Sequence, residues 1–111
     1  MSENEIEELK KEVQNFIRRN EVSFILNGKP LKISKINQIT IYSIEEGNFF
    51  DDNNYSFEGG LEVFIPAPTE GDEQNLFGKF TGYAKIEIKQ ENGKLKEIII
   101  IKVSPIIITE N

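Results

Sequence analysis

Asp51, Asp52, Asn53 and Asn54 bring four oxygen-bearing side chains into one short segment, the hard ligand type that calcium prefers. The spacing speaks against a cation loop. The residues are consecutive rather than alternating, and neither a turn glycine nor a distal bidentate glutamate sits at the required offset. Asp and Asn tolerate the backbone angles of tight turns, so the segment reads as a polar turn. Glu70, Asp72 and Glu73 form a second acidic group, and it reads as an ordinary loop.

Tyr42, Tyr55 and Tyr83 are three phenols that could donate hydrogen bonds in a pocket, with Asp51 or Glu58 as base, in the manner of proton-transfer enzymes that lack histidine. Nothing in their spacing forces them together. The plainer reading packs the tyrosines on a sheet with their hydroxyls in water. The chain has no cysteine and no histidine, which removes thiolate nucleophiles, thiolate metal sites, the commonest general base and the commonest transition-metal ligand. The expectation is a non-catalytic protein with no cofactor and no metal.

The net charge is -6. A field of that sign does not attract phosphate backbones, so neither nucleic acid nor an anionic membrane is an expected partner. Acidic residues suit a basic protein instead, and Glu45, Glu46, Asp51, Asp52 and Glu58 are the candidates for such a surface, as in an immunity or antitoxin-like neutraliser. The start at Met1 and Ser2 lacks the basic stretch and apolar run of a secretory signal, so the expected location is cytoplasmic. With 111 residues, a single domain over residues 1–111 is expected.

The elements that must position these groups follow from periodicity. Ser2 and Glu5 have capping-box spacing, and Ile6, Leu9, Val13, Phe16 and Ile17 recur at helical intervals, predicting a helix over residues 3–19. Burying that stripe would contribute on the order of 5 to 10 kcal/mol before ordering costs, so loss of residues 1–19 is expected to unfold the domain. Thereafter the period is two, and 18 isoleucines favour strands over helices. Strands are expected at residues 22–26 and 31–33 around the Asn27-Gly28 turn, at 39–46, at 55–65, at 79–89, and at 95–103 after Asn92-Gly93. Pro30 places the second strand at a sheet edge. Gly59-Gly60 suggests a bulge or a close approach on bare backbone. Residues 66–78 read as the longest loop, and residues 106–108 as an apolar tail. Gly82 and Ala84 should leave a depression that Phe16 and Ile17 fill.

Residues 98–101 are four consecutive isoleucines, apolar on both faces of a strand. With Leu95, Ile99, Ile101 and Val103 assigned to the helix side, Ile98 and Ile100 fall on the other side beside Tyr83 and Phe64. One helix cannot cover both faces. The four residues Ile98, Ile100, Tyr83 and Phe64 are therefore the expected interface of a homodimer.

A helix followed by a long antiparallel meander resembles the small cystatin-like and nuclear-transport-factor-like domains, and residues 80–88, the Asn92-Gly93 turn and residues 95–103 are similar to their last hairpin. The resemblance implies an α+β fold with one N-terminal amphipathic helix packed on a curved antiparallel sheet of about five or six strands. It does not bring protease inhibition with it, because the first hairpin reads Leu26-Asn27-Gly28-Lys29 where cystatin inhibitors have glutamine-valine-glycine. The extra N-terminal helices that enclose a ligand cavity in the second group have no counterpart here.

Overall fold

The computed structural model describes residues 2–19, 22–47, 53–66 and 74–111. Helix α1 spans Glu3–Arg18. Its start is the capping box: the Glu5 N–H donates to Ser2 Oγ at 3.3 Å and the Ser2 N–H donates to Glu5 Oε1 at 3.0 Å, which satisfies donors that have no partner within the helix. Leu9, Val13 and Ile17, one turn apart, are fully buried.

Among the described residues seven strands follow: β1 Phe24–Leu26, β2 Lys29–Leu31, β3 Lys35–Glu46, β4 Asn54–Ile65, β5 Gln74–Glu91, β6 Lys94–Val103 and β7 Ile106–Glu110. They form one sheet of order β2-β1-β7-β5-β4-β3, with β6 also paired to β5. All pairings are antiparallel except β1 with β7, so the sheet is mixed and has more strands than the five or six expected. The additional strand is the expected apolar tail. It lies between β1 and the first half of β5, burying Ile106 and Ile108. Pro105 separates β6 from β7, and Ser104 bridges the gap: its N–H donates to Tyr83 O at 2.8 Å, and its Oγ accepts from the Tyr83 N–H at 2.9 Å. A side chain thus satisfies the β5 donor at the point where proline ends the ladder. Part of the expected loop is also strand, since β5 begins at Gln74.

The two ends of the strand order, β2 and β3, are joined only by residues 32–34. So short a link requires the sheet to curl almost into a barrel, although β2 and β3 do not pair. Ile33, buried in that link, plugs the gap, and the Ser34 N–H donates to Phe64 O at 2.8 Å. At the other end, α1 lies in the curve and touches both β3 and β6. Gln14 Oε1 accepts the Ile41 N–H of the β3 edge at 2.9 Å, and the Leu95 N–H of β6 faces the Glu5 carboxylate.

Large side chains lie across bare backbone rather than against the helix. Phe57 and Ile106 occupy the space over Gly82, where Phe16 and Ile17 were expected, because Phe57 sits directly opposite Gly82 in the ladder. Phe80 lies reciprocally over Gly59, and the two rings meet edge to face at 6.2 Å. On the outer side the Tyr42 ring lies on Gly60. Aromatic cover of strand glycines restores the packing that a missing side chain would forfeit.

The face assignment of β6 differs from expectation. Ile98 lies opposite Ile88 and Ile100 opposite Ile86, so both point to the helix side and pack on the core. Two bulges, at residues 96 and 101, explain this. Each adds one residue and reverses the alternation, so Leu95, Ile98, Ile100 and Val103 share the inner face while Ile99 turns outward.

Candidate functional site

The outer face of β3, β4 and β5 carries the polar side chains that could meet a partner. Two adjacent rungs run across it, Ser43–Glu58–Thr81 and Glu45–Ser56–Tyr83, each from one residue per strand. The bulge at Tyr42 sets the parity of β3 that aims Ser43 and Glu45 outward here. These six residues line an open depression of about 230 Å³. The Ser43 hydroxyl donates to Glu58 Oε1 at 3.3 Å, orienting one carboxylate.

A second open depression, of about 200 Å³, includes Gln38, Tyr42, Glu62 and Phe77 in its lining. Asn75 Nδ2 donates to Glu62 Oε1 at 3.4 Å beside it. Exposed aromatic groups line both, Tyr83 the first and Tyr42 and Phe77 the second. Tyr42, Phe77, Tyr83, Ile101 and Ile107 are 61%, 54%, 62%, 50% and 52% exposed, so about half or more of each large side chain meets water.

The expected interface set is divided. Ile98 and Ile100 are half-buried on the inner face, whereas Tyr83 and Phe64 are on the outer face. Tyr83 pairs with Ser56 and Phe64 with Asn75, so eight residues of strand rise separate them, about 27 Å. They do not form one patch. The expected acidic set is divided too. Glu45 and Glu58 share the first depression, while Glu46 lies opposite Tyr55 on the inner side. Asp51 and Asp52 lie outside the described residues.

The tyrosines separate in the same way. Tyr55 is buried, and burial together with the Glu46 charge pushes its hydroxyl above the usual phenol range. Tyr42 and Tyr83 face water. Tyr83 and Glu58 do share a depression, but it is open and lacks the water-excluded setting in which a phenol and a carboxylate transfer protons efficiently. The arrangement can accept and donate hydrogen bonds and attract cationic groups.

Ser43, Ser56 and Thr81 were not identified from sequence as members of a site. Alternation marks Ser56 and Thr81 as outward, yet only the register brings them beside Ser43 and Glu45. No family model, curated protein or solved structure matches the chain. Among the described residues the architecture is that of a small α+β domain with one helix on a mixed, unclosed sheet. No helix among the described residues is long and apolar enough to cross a membrane.

Proposed function

We propose that the protein is a non-catalytic binding or assembly module, a homodimer in its simplest form, built on a helix-wrapping meander of cystatin-like topology. One observation carries this reading. The inner face is packed with side chains such as Phe57, Phe80, Ile86 and Ile106, while large apolar residues stay exposed on the outer face, where the shallow depressions are. Exposed apolar groups on that scale favour contact with another protein surface. The test is sedimentation of the intact chain at about 100 µM, a concentration that populates micromolar complexes. A dimer that dissociates on dilution is expected. A strict monomer there overturns self-assembly.

A second reading is supported by Glu45 and Glu58 meeting at Tyr83. Two carboxylates beside an exposed aromatic suit a basic protein surface, the arrangement of an acidic neutraliser. A basic host protein should then bind at moderate salt and be lost in the Glu45→Lys, Glu58→Lys double variant. Undiminished binding by that variant removes these residues from the contact.

A further inference from the structure

Two depressions on the outer face carry opposite charge and share one wall. The first holds Glu45 and Glu58 and no cation. Its neighbour, of about 340 Å³, is lined by Asn54, Tyr83, Ala84, Lys85, Lys102 and Ser104, with two cations and no carboxylate. The exposed Tyr83 is the one residue that belongs to both linings. Lys85 and Lys102 are direct cross-strand partners on one rung, where like charges are destabilising. Neither lysine has an ion pair among the described residues, although the chain holds 19 acidic and only 13 basic residues. The rung lacks a counter-charge.

The ladder sets these charges symmetrically about Tyr83. Glu58 pairs with Thr81, so it lies one strand to the β4 side and one rung before Tyr83; Lys102 pairs with Lys85, one strand to the β6 side and one rung after. With strands about 4.8 Å apart and same-face rungs about 6.6 Å apart, each lies about 8 Å from Tyr83 along the sheet, in opposite directions. Tyr83 is their midpoint. A two-fold axis in the plane of a face-to-face contact, passing Tyr83 at right angles to the line from Glu58 to Lys102, therefore exchanges those two positions. The same rotation carries Glu45, two strands out on the rung of Tyr83, to the neighbourhood of Lys85. Each carboxylate meets an ammonium.

Resting on the assembly reading above, we propose that two copies of this chain meet face to face about Tyr83, each setting Glu58 and Glu45 against Lys102 and Lys85 of the other copy. Charge complementarity names the occupant. A partner of one sign matches one depression and is repelled by the next, whereas a second copy turned about this axis presents the required charge at both. The two Tyr83 rings meet on the axis. Ser43, which donates to Glu58 Oε1, orients that carboxylate within its own chain. The strands of the two sheets cross steeply, as in orthogonal sheet packing, so the contact buries less than about 1,200 Å² and the dimer is weak and reversible. Both depressions of both copies are used, so assembly closes at two chains.

Charge reversal on the purified chain tests the pairing. The Glu45→Lys, Glu58→Lys double variant makes both depressions basic, and Lys85→Glu, Lys102→Glu makes both acidic. In sedimentation at about 100 µM each variant alone should self-associate about tenfold or more weakly than the wild type. Circular dichroism should be unchanged, because all four side chains are exposed. An equimolar mixture of the two variants should restore the dimer, which a merely misfolded variant could not do. If the wild type and both variants dimerise equally well, the axis at Tyr83 is wrong and assembly through another surface stands. If the mixture stays monomeric, the two depressions do not face each other and the proposal falls. A wild type that is itself monomeric overturns both the pairing and the assembly reading.

Discussion

Three glycines on adjacent strands should respond very differently to one added methyl group, and the neighbours decide the order. At Gly59 a Cβ would collide with the Thr40 carbonyl oxygen and come within 2.9 Å of Ile41 Cα and 2.8 Å of Phe80 Cζ. Two of those atoms are backbone of a paired strand, so Gly59→Ala must displace β3 and should cost about 3 kcal/mol or more. At Gly82 the Cβ would meet Phe57 Cζ at 2.6 Å and Ile106 Cδ1 at 2.9 Å. Both are buried side chains with little room to rotate, so Gly82→Ala should cost about 1–3 kcal/mol. At Gly60 the obstacle is only the hydroxyl end of Tyr42, which is 61% exposed and free to swing outward. There the change should cost little and recover about 0.5–1 kcal/mol of glycine's unfavourable strand propensity.

Urea unfolding measures all three. With a denaturant slope of about 1–3 kcal/mol per molar, a 3 kcal/mol loss moves the midpoint down by about 1–3 M. The expected order of midpoints is Gly60→Ala highest, then Gly82→Ala, then Gly59→Ala. A neutral Gly59→Ala, or a Gly60→Ala as damaging as Gly59→Ala, would refute the packing argument.

Leu9→Ala should lose about 3–5 kcal/mol by the same assay, because Leu9 is fully buried between helix and sheet and the curled strands have little freedom to collapse on the cavity. The Glu5 carboxyl is held below its ordinary value of 4.5, chiefly by the Ser2 N–H and hydroxyl, so its charged form is preferred in the folded state. Its contribution is present above pH 4.5 and declines as the pH falls through the lowered value; Glu5→Gln should flatten the acid limb of a plot of thermal midpoint against pH. Tyr55 has the opposite sense: its pKa is raised above 10.0, the neutral phenol is preferred when folded, and stability should fall as the pH rises past 10. In Tyr55→Phe the alkaline limb should be shallower, and an unchanged limb would argue against a buried phenol.

Local chemistry made much of this protein legible before any fold was known. Ser2, Glu5 and the apolar stripe to Ile17 specify the helix because its signals lie within a turn or two of one another. Asn27-Gly28 and Asn92-Gly93 specify their turns because both residues of each pair adopt positive φ, from 54° to 76°, which few other residue types accept. Pro30 marked an edge because it cannot donate to a ladder. What the local pattern could not contain was parity across a bulge and the identity of spatial neighbours. One extra residue at 96 and another at 101 reverse the sides of Ile98 and Ile100, and no local residue type announces either insertion. The last strand joins the sheet by a parallel pairing with a hairpin some eighty residues earlier in the chain, a distance beyond any periodic signal. The depression at Tyr83 exists only because three strands bring Ser43, Glu58 and Thr81 onto one rung, so side-chain chemistry was written along the chain while its convergence was decided by register in the folded sheet.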